Sequence, residues 1–546
     1  MPIPIVVGVT GHRDLRKKDI PRLLELVRVE LKMLITEYPH SPLVMLNSLA
    51  AGADLLCAEV AVSLGIVLKC PIPMAAEEYR QDHEGADLDR YEAVLKRAAD
   101  VFVAPDTESA PAESNRDYHY RQAGIYVAAH SHVLLALWDG TPAKPGGCGT
   151  AEAVCFMLKG RYGCENCFIA ANDGAVIHIS TPRAGSDSDL TISSSLLENE
   201  PGSLCEVLCM TDMFNADAEA MVGPECDDVL LQGVELAGKG NILQQMHGIY
   251  LQADGLSLRF QAKYLSAIKY FAIFGVLLVL SFLLYDELEA NLFLLCYGLL
   301  ITTYVIAFLM VRKGAFHMKY LQYRVLSETL RTQFYLSASG ANVNIGDSFT
   351  WTQKQDSTWI REAVSALLIG MPSKNHISEN LIKTAWIDGQ LKYHQKALKR
   401  NSRKHGINES ATRVMLVCSM ALFATVLVLE FLCNHVITWK VFAEPLPAFY
   451  MQHAGQEVTL RSLLKIVLGG VSAATVFLSN YYGRLSLERK SIDHKKMAFL
   501  YASAKKQYEA GRANKSQLFL ALAQEEIIEN GNWFSHCREN TPSFNL

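Results

Sequence analysis

The stretch IPIVVGVTGHRDLRKKDIPRLLELVRVELKMLITEYPHSPLVMLNSL, Ile3 to Leu49, changes its period twice. Ile3-Pro-Ile-Val-Val-Gly-Val-Thr is a short β-rich run, Ile20 to Tyr38 is amphipathic, and Leu43-Val-Met-Leu-Asn-Ser-Leu is β-rich again. Strand, helix, strand at this rhythm predicts a parallel, doubly wound α/β sheet. The rhythm continues to about residue 181. Further strands are expected at Ile66-VLKCPIP, Asp100-VFVAP, Val133-LLALWDG and Phe168-IAANDGAVIHIS, with Asp54-LLCAEVAVSLG as another amphipathic segment. Arg183 to Leu256 is polar and rich in Ser, Asp and Glu, and reads as an irregular cap or linker.

After residue 256 the physics changes. Apolar stretches near 265–285, 292–311, 414–433 and 463–482 each approach the roughly 20 residues that cross a bilayer core. Lys269 and Lys465 near the starts of the first and fourth can snorkel to the interface. The loop Asp286-Glu-Leu-Glu-Ala-Asn has no Lys or Arg, whereas Arg312-Lys313, Lys399 to Arg413 and Arg484 to Lys490 are basic. By the positive-inside rule both termini and the central segment face the cytoplasm. The opening MPIPIVVGVTGHRD has no basic leader and is expected to start as a strand on that side. Gly469-Gly470 with Ala473 and Ala474 suggests close helix contact. The second span runs into His317-MKYLQYRVLSETLRTQFYLSASGA and the fourth into Tyr482-GRLSLERKSIDHKKMAFLYASAKKQYEAG, which suggests a duplicated unit.

A net charge of −5 over 546 residues gives no reason to expect nucleic acid as a partner. The 13 cysteines are irregularly spaced and read as reduced thiols. Cys164-x-x-Cys167 and Cys205-x-x-x-Cys209 could form a zinc site only by converging, and no metal is expected. Nor do His119, His130 and His132 have a ligand spacing.

Three loops carry the chemistry. Gly8-Val-Thr-Gly-His-Arg13 ends the first strand with a hydroxyl, a histidine and a planar cation suited to phosphate. Asn47-SLAAGADLL ends the second with small residues, and Asp54 stands where a helix cap belongs. Trp138-DGTPAKPGGCGTAEAV ends the fifth with glycines that allow backbone N–H groups to turn toward an anion, ahead of a helix start. All lie on one edge of the sheet, where ligands of such folds bind.

Together, Gly8-VTGHRDL, Leu46-NSLAAGAD, Tyr120-RQAGIYVAAHSHVLLALWDG and Gly146-GCGTAEAV resemble the SLOG superfamily, the Rossmann-like group of the LOG phosphoribohydrolases, DprA and nucleotide-sensing domains of prokaryotic conflict systems. The C-terminal half resembles SLATT membrane effectors, with Trp386-IDGQLKYHQ as a supporting motif. The resemblance implies residues 1–185 as a SLOG-like domain, 186–256 as cap, 257–345 as a first membrane hairpin with its helix, and 346–410 as a helical connector. It further implies 411–512 as a second hairpin with its helix, and 513–546 as a tail. Thr10, Gly11, His12 and Arg13 would hold phosphate or ribose. Ser48, Gly52 and Asp54 would line the floor, and Gly146, Gly147, Gly149 and Thr150 would supply backbone donors. Asp139 would orient the glycine loop or accept from a ribose hydroxyl.

The implied ligand is a signalling nucleotide, an ADP-ribose derivative (a cyclic ADP-ribose-like molecule included) or a cyclic nucleotide, rather than a cofactor. The implied output is membrane permeabilisation in antiphage defence (Thoeris- or CBASS-type signalling), by a homo-oligomer in the inner, cytoplasmic membrane in contact with lipid. LOG hydrolases carry Pro-Gly-Gly-x-Gly-Thr-x-x-Glu. Here that acid position is Ala153, and Glu152 lies one residue early, about 100° round a helix. The sequence therefore reads as a sensor without catalytic residues. A membrane-anchored N-glycosidase using Glu152 or Glu77 is one alternative. A nucleotide-regulated channel or transporter outside defence is the other.

Overall fold

The structure, a computed structural model, describes residues 2–106, 115–142, 147, 149–160, 174–186, 190–221, 230, 242–288, 290–341, 343–370, 377–435, 460–511 and 514–539. The chain divides into two compact units. The first comprises Met1–Leu256, Gln322–Ile382 and Asn514–Ser535; the second comprises Ser257–Leu321, Lys383–Ala513 and His536–Leu546.

The first unit is built on a seven-stranded sheet of order β4-β3-β2-β1-β5-β6-β7. The strands are β1 Ile5–Gly11, β2 Leu43–Leu46, β3 Val67–Ile72, β4 Asp100–Val103, β5 Val133–Trp138, β6 Ala175–Ser180 and β7 Ser194–Glu198. Neighbours are parallel except β7, which runs antiparallel to β6. The chain leaves β1 for β2, β3 and β4 on one side and returns for β5 and β6 on the other, so β1 and β5 flank the reversal point.

The pleat of β1 divides the core. Ile5, Val7 and Val9 pack toward helices α1, Ile20–Glu37, and α2, Ala53–Ser63; Val6 faces the opposite layer with α5, Arg116–Ala129, and α6, Thr150–Lys159. Between α2 and α5 lie the short α3, Ala76–Tyr79, and α4, Gly85–Leu95.

Two features of this unit differ from the sequence pattern. Residues 183–256, expected to be irregular, contain β7, a helix, α7, Ser203–Glu219, and the start of the long helix Ile242–Leu288. β7 is a polar edge strand with Leu196 51% exposed, so it shows no apolar alternation. Helix α7 buries Thr211 and Asn215 with its apolar residues, which hides its inner face; Asn215 accepts the Ile3 N–H at 2.8 Å and donates to the Ile3 carbonyl at 2.8 Å. The second is the packing of the helix Trp351–Leu367, which lies in the segment expected to be a helical connector. Ala366 and, just beyond it, Ile369 join the same apolar layer as Val6, Leu46 and Leu134. Ser365 donates to the Ala129 carbonyl at 3.1 Å, and the Gly370 N–H donates to Tyr126 Oη at 3.2 Å. Thr350 and Gln353 start this helix with a reciprocal capping box.

In the second unit, as in the chain as a whole, the dominant elements are long helices. Among the described residues, four helices are long and apolar enough to cross a membrane: Ile242–Leu288, Asn291–Ala338, Glu379–Leu429 and Arg461–Ala510. The fourth is the least apolar, with a mean hydropathy of 1.7, and its Lys465 pairs with Glu287 at 2.8 Å. Gly469 lies where a Cβ would stand 2.5 Å from Leu283 Cδ1, the close helix contact that its sequence suggests.

The internal repeat is visible in the backbone. Helix Ile242–Leu288 opens the first copy and helix Gly389–His435 the second. Asn291–Gly314 and Leu460–Leu485 follow, and each ends at a non-glycine residue with positive φ, Ala315 (46°) and Ser486 (48°). The Ala315 N–H donates to the Arg312 carbonyl and its carbonyl accepts from Lys319; Ser486 does the same with Gly483 and Lys490. Helices Phe316–Ala338 and Leu487–Ala510 come next, closed by the positive-φ glycines Gly340 and Gly511 at the same separation from each break. A left-handed non-glycine residue costs about 1–2 kcal/mol, so its recurrence at matched positions marks a repeated design.

Candidate functional site

Thr10 and Gly11 end β1 and Asp139 follows β5, so the first and third predicted loops meet at the reversal of strand order. The His12 N–H continues the ladder to the Leu137 carbonyl at 3.1 Å. Its ring closes the junction: the Asp139 N–H donates to His12 Nε2 at 3.0 Å, with Asp139 Oδ1 3.3 Å from the same nitrogen. An ion pair would need a proton on Nε2, whereas the N–H donation needs its lone pair. Burial pushes the His12 pKa below its ordinary value against the pull of Asp139, so the neutral, accepting ring is the form at pH 7. Burial opposes the Asp139 charge too, but Thr141 and His12 outweigh it and hold the carboxyl below its usual range. The Thr141 N–H donates to Asp139 Oδ1 at 2.9 Å.

The second loop is sewn to the first by its backbone. The Ala53 N–H donates to the His12 carbonyl at 3.0 Å. Gly52 has φ +81°, and a Cβ there would stand 2.3 Å from the Arg13 carbonyl oxygen. A Cβ placed at Gly11 would come 2.4 Å from Ala53 Cβ. These glycines permit close approach of backbone to backbone, in addition to any role toward a ligand. Asp14 and Arg183 pair at 3.1 Å, anchoring the loop after β1 to the segment after β6.

Beside this junction lies a cluster that the sequence motifs single out only in part. Asp54, in the first turn of α2, is 5% exposed and accepts the Ala50 N–H at 3.4 Å. Burial raises its pKa to about 7, opposed by the Ala50 bond and by the Arg13 charge. Arg13 is exposed, with its guanidinium carbon 4.8 Å from the centre of the Tyr120 ring and no ion pair among the described residues. Tyr120 donates to Asp82, which also pairs with Arg116; Arg116 reaches Glu78 at 3.1 Å. The buried Tyr79 packs edge-on against His83 at 5.1 Å, and His83 stacks on Tyr91 at 4.3 Å. Asp82, Tyr79 and Arg116 are scattered among unremarkable segments of the sequence, and only the fold brings them beside Arg13.

The third loop is placed in part. Gly146 lies outside the described residues; Gly147 is described and half-buried. Gly149 is the N-cap of α6 and has no side chain to cap with; its carbonyl accepts from the Glu152 and Ala153 N–H groups at 3.0 and 3.2 Å, and Thr150 opens the helix. The hydroxyls of Thr10, Ser48 and Thr150 make no hydrogen bond among the described residues. Ala153 is buried in the layer between α5 and α6, and Glu152 Oε1 accepts from Arg121 Nε at 2.8 Å. Glu77 is exposed on α3. Cys164 and Cys167 lie outside the described residues, while the Cys205 and Cys209 sulfurs are 3.6 Å apart on the exposed face of α7.

The raised Asp54 value has a consequence for stability. The folded state holds this proton more tightly than the unfolded chain, whose carboxyl titrates near about 4. Stability therefore falls as pH rises from about 4 to about 7, by at most roughly 1.4 kcal/mol per unit, and the loss is complete above that window. Asp54→Asn imitates the protonated form. Thermal unfolding of the full chain in micelles is expected to show the variant more stable than the parent at pH 8 and equal to it at pH 4. An equal difference at both values would mean that Asp54 is charged and solvated. Comparison with family models and with curated proteins finds no match to the chain.

Proposed function

We propose that the sheet domain binds a phosphate-bearing signalling nucleotide at the β1–β5 reversal and that four membrane-crossing helices deliver the response. The carrying observation is the convergence of the Gly11–Arg13 turn, the Gly52–Asp54 helix start and Asp139 at one edge of a doubly wound sheet. Arg13, backed by the Tyr120 ring, supplies an exposed cation without a carboxylate partner among the described residues. Asp139 supplies an ionised acceptor for a ribose hydroxyl. Thr10, Ser48 and Thr150 offer hydroxyls, and the start of α6 at Thr150 and Ala151 offers N–H groups.

The resemblance to SLOG and SLATT proteins extends this reading to an ADP-ribose derivative or cyclic nucleotide, and to permeabilisation of the cytoplasmic membrane by an oligomer in antiphage defence. Sensing rather than cleavage is supported by Ala153, a buried alanine at the hydrolase acid position, and by Glu152, engaged by Arg121. A hydrolase needs a carboxylate free to act at the ribose.

The test is calorimetric titration of the full chain in detergent with ADP-ribose, 3′,3′-cyclic di-AMP and cyclic ADP-ribose. One of them is expected to bind and to be recovered intact. Arg13→Ala removes a charge-assisted contact worth roughly 1.5–3 kcal/mol and should weaken binding by about 10- to 100-fold. Unchanged affinity in Arg13→Ala would displace the pocket. Recovery of a cleaved nucleotide, abolished by Glu152→Gln, would restore the hydrolase.

A further inference from the structure

The second unit contains a cavity of about 90 Å³ between its apolar helices, lined by Tyr264, Phe271, Tyr304, Phe477, Asn480 and Arg484 among others. Its lining mixes aromatic and polar groups: Tyr304 packs edge-on against Phe271 at 5.1 Å, and Arg484 Nε donates to Asn480 Oδ1 at 3.3 Å. We propose that this cavity holds the phosphate headgroup of an anionic phospholipid, an inference that rests on the reading of these helices as membrane spans.

Size permits the occupant: a volume of about 90 Å³ has room for one phosphate group. Charge agrees. Residues 257–285, 291–321 and 460–487 contain no Asp or Glu, while Arg259, Lys263, Arg312, Lys313, Lys319 and Arg484 share the end of the spans where the cavity lies. Lys263 is held 5.0 Å from the centre of the Phe260 ring and 5.3 Å from that of Phe316; Lys319 is 5.2 Å from Phe260. Cations beside aromatic rings at a span end suit the headgroup level, where anionic lipids attract basic segments. A purely structural Arg484 would complement the carboxyl end of its own helix, but that role requires neither a cavity nor two facing tyrosines.

The experiment uses the full chain. Carbonate washing of membranes first asks whether the protein stays in the pellet; release overturns the span reading and the lipid site with it. Protein retained there is purified in detergent and titrated with phosphatidylglycerol or phosphatidylcholine, and bound lipid is read by native mass spectrometry. Phosphatidylglycerol is expected to be retained over phosphatidylcholine, and Arg484→Gln to reduce its occupancy roughly tenfold. Arg484→Lys should restore part of it. Ala267→Phe, which fills the cavity and leaves the charge in place, should also displace the lipid. Equal retention of the two lipids, or indifference to both Arg484→Gln and Ala267→Phe, overturns the proposal. Displacement of phosphatidylglycerol by inorganic phosphate would assign the site to a free anion and overturn the lipid assignment.

Discussion

Gly52→Ala is expected to destabilise the sheet unit by roughly 3 kcal/mol or more, shifting its folding equilibrium by over a hundredfold. Two penalties combine. The φ of +81° and ψ of −115° lie where side-chain-bearing residues are strained, at about 1–3 kcal/mol. The added methyl would also stand 2.3 Å from the Arg13 carbonyl oxygen and 2.7 Å from its Cα, so backbone must move, at roughly 1–3 kcal/mol more. Gly65 is the control: its φ is +73°, but nothing lies within 4 Å of a Cβ placed there. Urea unfolding of the full chain in micelles should therefore find Gly65→Ala mildly destabilised and Gly52→Ala far more so. Equal losses would show that the two loops are not in contact. The same displacement moves Arg13, so nucleotide binding should fall with it.

The sequence reveals elements whose burial follows a simple period. β1 to β5 stand where their runs of Val, Ile and Leu place them, and the Thr-Gly-His-Arg turn lies at a strand end because a parallel strand must deliver its last residues there. What it conceals is of two kinds. Edge strand β7 and helix α7 bury polar side chains through specific hydrogen bonds, so no apolar stripe announces them. Contacts between distant segments have no local signature at all. Asp82 approaches Arg13 through Tyr120, and Ala366 reaches the sheet from more than two hundred residues beyond β5. In the repeat, matched composition hints at a duplication, but the paired positive-φ residues Ala315 and Ser486 carry no glycine to mark them.

That distant contact governs the last expected result: residues 1–256, expressed alone, should fail to fold cooperatively. Ala366 and Ile369 are 4% and 1% exposed in one apolar layer with Val6, Leu46, Leu134 and Val176. Deleting them removes part of the cover that they share with α5 and α6 over this face. Phe214 of α7 would lose Tyr323, at 5.4 Å between ring centres, and Trp359, at 6.2 Å; Asp217 would lose the Tyr323 hydroxyl, at 2.5 Å. In the full chain, Ile369→Ala should cost about 2–4 kcal/mol and Trp359→Ala about 3–5. Removing both with their neighbours exceeds what a domain of ordinary stability, about 5–15 kcal/mol, can lose. Circular dichroism during urea unfolding would show a broad, weak transition for the fragment and a steep one for the full chain. A fragment as cooperative as the whole would separate the sheet from residues 322–370. If the core is shared, a ligand at β1 and β5 acts on the helices Phe316–Ala338 and Trp351–Leu367 through packing. Its influence on them is then limited to its differential affinity for the two arrangements of that core.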